Sequence, residues 1–443
     1  MKATLPVIII GAGPVGLAAA AHLLRKGEEF MIIESGQEIG ANVREWGHIR
    51  MFSPWQYNID QAARELLEEA GWKSPELEEL PTGNQLIDDY LFPLSQLPQM
   101  KENLRLNAKV VGVTRKGIDK LKNQNRENVP FQVYVEFEDE TKVLEAKAII
   151  DATGTWQKPN PSLSNGLWTK TERNLKAKIH YGIPDIRKTE NRYANKNVMV
   201  VGSGHSAINS ILELAQLKEK YPNTTIYWVL RKKNVAAVYG GQENNQLPAR
   251  GELGIKIQKL VESKKLEVVT PFYISQLLTD NGQIKVVGEL NGKGYSISNI
   301  DEMVVSTGFR PDTSFVDEVR LNLDEAVESV KAIAPLIDPN IHSCGTVRPH
   351  GEAELRQPEK NFYIVGMKSY GRAPTFLLAT GYEQVRSIVA YLTGDEASAK
   401  EVQLVLPETG VCSTGITPKS FNKNSCCGSG EIKLEIKTTS CCG

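Results

Sequence analysis

Cysteine is the residue this sequence most clearly lacks. Residues 1–343 contain none, and of the six cysteines in the 443-residue chain only Cys344 precedes residue 412. A disulfide framework is therefore excluded, as is a CxxC or CxxxxC redox pair anywhere in residues 1–343. This usage is typical of a reducing compartment, so we expect a cytoplasmic protein.

Long apolar runs and an excess of charge of one sign are missing as well. Apolar stretches such as "VIII" (Val7–Ile10) are too short to span a bilayer, and no cleavable apolar leader is visible. The 52 basic and 53 acidic side chains give a formal net charge of −1. This balance argues against nucleic acid or an anionic membrane surface as the main partner. The expected partner is a small-molecule or metalloid substrate.

The first forty residues contain a glycine turn between an apolar strand and a helix. The segment "PVIIIGAGPVGLAAAAHLLRKG" has the GxGxxG spacing, with Gly11 for a tight turn, Gly13 for backbone approach to a pyrophosphate, and Gly16 for helix–strand packing. Pro14 opens the helix. The next strand, "FMIIE", ends in Glu34, whose carboxylate suits ribose hydroxyls. These features predict a dinucleotide site.

The same plan returns in "NVMVVGSGHSA", where Gly202, Gly204 and Ala207 form a GxGxxA turn. Here the following strand, "TTIYWVL", ends in Arg231 and two lysines instead of an acid. Basic side chains at this point favour the 2′-phosphate of NADPH over NADH. A solvated basic strand end is the alternative interpretation.

Each unit closes with an apolar strand that ends in Thr-Gly, at Gly154 in "AIIDATG" and at Gly308 in "MVVSTG". Alternating residues between Leu104 and Glu145 predict a small antiparallel β insertion in the first unit. A last buried strand, "NFYIVGM", precedes a long helix that ends near Gly394.

These segments resemble the two-dinucleotide-binding flavoproteins, in particular the flavin-containing monooxygenase and thioredoxin-reductase-like group. The matching residues are "GAGPVGLAAA", "DATGTWQKPNPSL", "KIHYGIPD", "VMVVGSGHSA", "STGFRPD" and "VGMKSYGRAPTFLLATGYEQ". The resemblance covers residues 5–395. It implies an α/β fold of two Rossmann-like domains, with the NADPH domain (161–300) inserted in a discontinuous FAD domain (1–160 and 301–395). Residues 396–443 are expected to form a flexible, cysteine-rich tail.

The resemblance also implies which residues hold FAD and NADPH. Those expected to contact FAD are Gly11, Gly13, Pro14, Gly16 and Glu34. Those expected to contact NADPH are Gly202, Ser203, Gly204, Ser206 and Arg231. Gly154 and Gly308 are further cofactor contacts, and Gly366 and the helix near Pro374 would lie beside the flavin ring. Relatives of the disulfide-reductase kind carry Asp after that last glycine, where this chain has Met367.

Two segments supply candidates for catalysis. "NVREWGHIRMFSPWQYN" lies where such flavoproteins cover the flavin, and Arg50 is its catalytic candidate, with Arg44, His48 and Trp55 as possible pocket residues; a packed structural loop is the alternative. "IHSCGTVRPHGEAEL" contains Cys344 between His342 and His350, a second candidate that is either a redox or metal-binding thiol or an inert buried cysteine. His180 is either a domain-interface or cofactor contact or a packed histidine.

The chain ends in "NSCCGSGEIKLEIKTTSCCG", with vicinal thiols at Cys426–Cys427 and Cys441–Cys442. Adjacent thiolates suit thiophilic ions such as Hg(II) and As(III), and they do not easily form an unstrained disulfide. The pattern is similar to the metal-handing tails of mercuric reductase and arsenite methyltransferases. We interpret the four cysteines as metal ligands; a tail without a catalytic part is the alternative.

The absence of a redox pair argues against standard disulfide reduction and makes molecular oxygen the simpler acceptor. We therefore predict an FAD- and NADPH-dependent monooxygenase that acts on a soft nucleophile, with trivalent arsenic as the sharper hypothesis. Two alternatives stay open: reduction of an external disulfide, quinone or metal ion, and a metal-binding flavoprotein without monooxygenase activity. A homo-oligomer is compatible with these interpretations.

Overall fold

The computed structural model of the chain describes residues 5–240, 248–341, 347–374 and 376–404. The strands are β1 (Val7–Ile10), β2 (Phe30–Ile33), β3 (Leu104–Arg105), β4 (Lys109–Arg115), β5 (Phe131–Glu136), β6 (Thr141–Ala146), β7 (Ala148–Asp151), β8 (Ile179–Tyr181), β9 (Asn197–Val201), β10 (Thr225–Val229), β11 (Glu267–Val269), β12 (Phe272–Asp280), β13 (Gln283–Leu290), β14 (Lys293–Ile300), β15 (Glu302–Val305) and β16 (Phe362–Ile364).

The α-helices are α1 (Pro14–Arg25), α2 (Ala41–Glu45), α3 (Gln61–Glu69), α4 (Gly83–Gln85), α5 (Phe92–Gln96), α6 (Pro98–Asn103), α7 (Lys170–Asn174), α8 (Glu190–Tyr193), α9 (His205–Lys220), α10 (Pro248–Glu262), α11 (Ala334–Ile337), α12 (Glu352–Leu355), α13 (Leu378–Leu392) and α14 (Glu396–Lys400). A π-helical turn covers Leu86–Leu91, and 3-10 turns cover Trp55–Tyr57, Arg126–Asn128, Val235–Val238, Ser314–Val316 and Gly366–Tyr370. No helix among these described residues is long and apolar enough to cross a membrane.

The first sheet is parallel and has the strand order β16-β7-β1-β2-β3. Its strands β1 and β7 are fully buried, which explains why they are apolar except for Asp151 at the end of β7, because both faces of a parallel sheet are covered. The sheet takes strands from both ends of the described chain. The discontinuous domain that the resemblance implies is therefore present.

The second sheet is also parallel, with the order β11-β10-β9-β15-β8, and it lies between β7 and β16 in the sequence. The predicted α/β fold, with one Rossmann-like unit inserted in another, is confirmed. β15 pairs with β9 from Glu302↔Val198 to Val305↔Val201. Residues 302–305, which the predicted domain boundaries assign to the FAD part, thus belong to the second sheet.

Two three-stranded antiparallel sheets accompany the parallel ones. β4-β5-β6 is the predicted insertion, whereas β12-β13-β14 was not predicted. The missed sheet turns at Asn281-Gly282 and Asn291-Gly292, and all four residues have positive φ. Asn-Gly between alternating strands is a strong hairpin signal in a sequence. The sequence therefore contained the information needed to predict this sheet.

The predicted flexible tail begins with an ordered helix. Asp395 caps α14 by accepting a hydrogen bond from the backbone N–H of Ser398 at 3.2 Å, and Ser387 on α13 donates to the carbonyl oxygen of Ala399 at 2.6 Å. Residues 396–400 are thus docked on α13, which corrects the predicted start of the tail.

Candidate active site

Steric demands at the first glycine turn explain two of its glycines. Gly11 has φ +104°, and a Cβ atom there would lie 2.9 Å from the carbonyl oxygen of Ala152. A Cβ atom at Gly16 would overlap the carbonyl oxygen of Gly11, so α1 packs directly on the turn. Gly13, the N-cap of α1, faces open space with no atom within 4 Å of a Cβ position. This space in front of a helix N-terminus fits a phosphate group.

Glu34 links the glycine turn to the end of β2 through hydrogen bonds to backbone N–H groups. Its Oε2 atom accepts a hydrogen bond from the backbone N–H of Ala12 at 2.7 Å, and its Oε1 atom accepts one from Gly36 at 2.7 Å. The carboxylate therefore stands beside the glycine turn, where the ribose of a bound dinucleotide is expected.

The second glycine turn repeats this construction. Gly202 has φ +138°, and a Cβ atom there would overlap the carbonyl oxygen of Ser306. Gly204 is the N-cap of α9 and faces open space, as Gly13 does at α1. Arg231 follows β10, and its Nη1 atom donates to the carbonyl oxygen of Ser164 at 3.2 Å. Both turns thus place an open helix N-terminus at the carboxyl ends of parallel strands.

A cavity of about 1080 Å³ lies in front of the second turn. The predicted cofactor residues that line it are Gly202, Ser203, Gly204, Ser206, Arg231, Gly308 and Pro374. Four basic side chains also line it, Arg231, Lys232, Arg310 and Arg372, and none of its described lining residues is Asp or Glu. A cavity of this size and charge suits a polyanionic ligand such as a dinucleotide.

The segment after β16 returns the chain to the first turn. Gly366 has φ +66°, and a Cβ atom there would lie 3.2 Å from Cγ2 of Val15, next to the start of α1. Gln384 on α13 accepts a hydrogen bond from the backbone N–H of Gly366 at 2.7 Å. A Cβ atom at Gly381 would also lie 2.6 Å from Val15. The first turns of α1 and α13 therefore meet at Gly366, where the resemblance expects the flavin.

Met367 lines the cavity, and the next residue, Lys368, turns inward. Its ammonium group lies 2.6 Å from the carboxylate of Asp151 and 2.9 Å from the hydroxyl of Thr153. Sequence reasoning missed this buried network. The available signal was an acid, Asp151, at the end of an otherwise apolar strand.

The loop 42–58 contributes less to the cavity than predicted. Arg50 is exposed, its backbone forms an isolated β-bridge with Thr82, and it is not among the described lining residues; its catalytic role stays a prediction. Trp55 is buried in the core, and Arg44 pairs with Asp88 at 2.7 Å. Phe52, which sequence reasoning missed, lines the cavity, with its ring 4.8 Å from that of His205.

His180 lies on β8 and is half-buried. Burial lowers its pKa to about 4, and the positive charge of Arg192 acts in the same direction. The imidazole is therefore neutral near neutral pH. This charge state agrees with a packed histidine, one of the two interpretations that the sequence left open.

Six candidates lie outside the described residues: Cys344, His342 and the four tail cysteines Cys426, Cys427, Cys441 and Cys442. Their predicted roles stay predictions. Within the described part of the chain, no group of three or more His, Cys, Asp or Glu side chains is placed to hold a metal ion.

Comparisons with known proteins agree with this geometry. A family model described as pyridine nucleotide-disulphide oxidoreductase matches residues 8–346. A ferredoxin–NADP reductase of Lactobacillus gasseri is 26% identical over 344 residues, which cover 76% of this chain and 84% of that protein.

Two solved structures share the fold. The bacillithiol disulfide reductase Bdr (YpdA) of Bacillus cereus has a TM-score of 0.66 at 18% identity, covering 89% of this chain and 100% of its own. DfoA, the FAD-bound cadaverine monooxygenase of Erwinia amylovora, has a TM-score of 0.63 at 12% identity, covering 92% and 99%. Together with the two glycine turns, the family match confirms the predicted class, an oxidoreductase with FAD and NADPH as cofactors.

Proposed function

Because the chain belongs to the pyridine nucleotide-disulphide oxidoreductase family, we propose a reaction in which electrons from NADPH pass through FAD to molecular oxygen. The observation that carries the proposal is the absence of cysteine from residues 1–343, which contain both glycine turns. Reduction of a disulfide within the protein needs a cysteine pair near the flavin. Oxygen needs no such pair.

In this proposal, each turn binds the pyrophosphate of one cofactor. The open N-terminus of α1, with Gly13, faces FAD, and that of α9, with Gly204, faces NADPH. Arg231 pairs with the 2′-phosphate. FAD, when bound, would supply the redox chemistry between NADPH and the acceptor.

Aromatic side chains form part of the cavity wall. Trp156 and Phe309 stack with ring centroids 4.4 Å apart, and both line the cavity with Phe52. The indole N–H of Trp156 donates to Glu45 at 2.7 Å, which holds the ring in place. Apolar rings beside a bound substrate reduce the access of water and so limit side reactions.

The substrate that we propose is trivalent arsenic, which has a lone pair and accepts one oxygen atom. Arsenite, oxygen, NADPH and a proton would give arsenate, NADP⁺ and water. Arsenic and NADPH each lose two electrons, and oxygen gains four. The two vicinal cysteine pairs at residues 426–442 support a thiophilic substrate, since adjacent thiolates bind such ions. A cytoplasmic, homo-oligomeric protein belongs to the same proposal.

A reductase is the second candidate, and the names of the relatives favour it. A ferredoxin–NADP reductase is similar over 76% of the chain, and the fold is that of a bacillithiol disulfide reductase. In this alternative, the electrons leave for an external disulfide, quinone or metal ion. The third possibility, a metal-binding flavoprotein without turnover, rests on the tail alone.

One assay separates these functions. FAD-loaded full-length protein is mixed with NADPH, with and without arsenite, while NADPH, oxygen and arsenate are measured together. We expect arsenite to stimulate oxygen uptake and arsenate to form in equal amount to the NADPH consumed. NADPH oxidation that needs an added acceptor but no oxygen would instead support the reductase. No turnover under any of these conditions would support the binding protein.

The tail is tested with a matched full-length variant in which Cys426, Cys427, Cys441 and Cys442 are all serine. We expect its NADPH oxidation without arsenite to be unchanged and its KM for arsenite to rise. An unchanged KM would remove the tail from the proposal and leave the oxygen chemistry intact.

A further inference from the structure

Two guanidinium groups at the cavity share one carboxylate. Arg310 Nη2 lies 2.9 Å from Glu328 Oε1, and Arg372 Nη1 lies 3.9 Å from the same oxygen atom. The Nε atom of Arg310 is buried and has no hydrogen-bond partner among the described residues. The three side chains therefore carry a surplus positive charge and an unused donor.

The backbone places both arginines firmly. Arg372 follows Gly371, whose φ is +60° and whose Cβ position would overlap the carbonyl oxygen of Val327. The backbone N–H of Arg372 donates to that same carbonyl at 2.7 Å. The backbone N–H of Arg310 donates to the carbonyl of Lys158 at 2.8 Å. The two backbone positions are thus fixed, and Glu328 lies within 4 Å of both guanidinium groups.

Their mutual repulsion is only partly relieved by Glu328. Burial lowers the pKa of Arg372, and the charge of Arg310 lowers it further; Glu328 opposes this effect, and Arg231 adds to it. An anion that bound between Arg310 and Arg372 would remove this repulsion. Arginine is well suited to the purpose, since its planar group binds carboxylate or phosphate through two parallel hydrogen bonds.

Neither of these two arginines is among the proposed NADPH contacts. The pyrophosphate is assigned to the N-terminus of α9, and the 2′-phosphate to Arg231 beyond β10. Arg310 instead follows β15, and Arg372 belongs to the segment after β16, beside Met367 and Pro374 in the cavity lining. Both arginines therefore lie on the side of the cavity that is next to the expected flavin position.

We propose that Arg310 and Arg372 form a second anion site, which binds a carboxylate or phosphate group of the second substrate while the dinucleotide is bound. The inference deepens the proposed function and rests on it in one respect, namely that a second substrate enters this cavity. The inference identifies the anionic group through which the protein binds that substrate. It does not identify the atom that reacts.

The test uses calorimetry on FAD-loaded full-length protein saturated with NADP⁺, so that the cofactor phosphates already occupy their own sites. Inorganic phosphate and succinate are titrated separately. We expect at least one of them to bind at a single site, and Arg310→Met and Arg372→Met each to weaken that binding roughly tenfold or more. The matched control is Arg64→Met on α3, which removes an arginine that pairs with Glu68 and does not line the cavity.

A variant that is expected to strengthen anion binding serves as the control for misfolding. Glu328→Gln removes the carboxylate that competes for both arginines, so it should tighten anion binding, which a damaged fold would not do. In the Arg310 and Arg372 variants, the KM for NADPH should change much less than the affinity for the anion, and in Arg64→Met it should be unchanged. Absence of phosphate and succinate binding in the parent protein would overturn the proposal. A raised KM for NADPH with unaltered anion binding would overturn it too, because the arginines would then serve the cofactor.

The calorimetric measurements need no turnover. Anion binding without arsenite oxidation would contradict the proposed function alone, and arsenite oxidation without anion binding would contradict this inference alone.

Discussion

The ammonium group of Lys368 lies 2.6 Å from the carboxylate of Asp151, and neither side chain is exposed to solvent. Asp151 ends β7, and Lys368 follows β16, the neighbouring strand of the first sheet. The ammonium group also stands 4.5 Å from the ring centroid of Phe315. The ion pair therefore links the ends of β7 and β16, the two strands after which Thr153 and Met367 reach the site.

Replacement of Lys368 by Met should be strongly destabilising. The change leaves the Asp151 carboxylate buried without its cation, which typically lowers the free energy of unfolding by about 3–5 kcal/mol. Denaturant unfolding of the FAD-loaded protein measures the loss. Lys331→Met, which breaks the more exposed pair with Asp324, is the matched control and should have a much smaller effect. Equal losses of unfolding free energy in the two variants would contradict the expectation that burial makes the Lys368–Asp151 pair more important.

Alanine at Gly13 and at Gly16 should act differently. A Cβ atom at Gly13 meets no protein atom, so Gly13→Ala should fold normally and lose FAD, because the methyl group would occupy the space assigned to the pyrophosphate. Gly16→Ala should lower the melting temperature, since its Cβ would overlap the carbonyl of Gly11. Flavin absorbance per protein and thermal melting measure the two effects. Full FAD retention in Gly13→Ala would refute the assignment.

Loss of the charge at Arg231 should change the preference between the two nicotinamide cofactors. Arg231→Gln should raise the KM for NADPH roughly tenfold or more and leave that for NADH unchanged, because only NADPH has the 2′-phosphate. Steady-state kinetics with both cofactors checks this expectation. An equal rise for NADH would instead mean that Arg231 has another role.

The lowered pKa of His180 predicts a pH dependence of stability. The unfolded chain takes up a proton near pH 6.5, whereas the native imidazole resists protonation until about pH 4. The contribution to stability is therefore fully present above pH 6.5 and falls as the pH is lowered from 6.5 to 4. His180→Gln should flatten this part of the curve, measured by unfolding at a series of pH values. An unchanged slope would place the titration elsewhere.

Local sequence patterns predicted the two dinucleotide units well. The spacing of Gly11, Gly13 and Gly16 reflects contacts within one strand–turn–helix unit, and a short window contains all of it. The antiparallel sheet of β12–β14 was missed although its two Asn-Gly turns were visible, so that error was one of interpretation. The start of the tail was misjudged because α14 is held by side chains of α13, which no local window shows.

The candidate site was predictable only where its residues are neighbours in the sequence. Phe52 gave no signal of its own, since it enters the cavity only because its loop folds against α9. Arg50 is the catalytic candidate of the same loop, and the fold leaves its side chain exposed. Charge alone does not reveal which way a loop residue faces.

The sequence by itself determined the order of strands and helices, the two glycine turns and the acid or base after each. These are local properties, set by backbone freedom and by the alternation of apolar and polar residues. Only the tertiary structure decided which charges meet. Asp151 and Lys368 are 217 residues apart, and Arg310 and Arg372 come together only because the chain leaves the first sheet, builds the second and returns. Burial then determines the energy of each contact, because a charge that is removed from water needs a compensating partner. The local sequence does not show which residue that partner is.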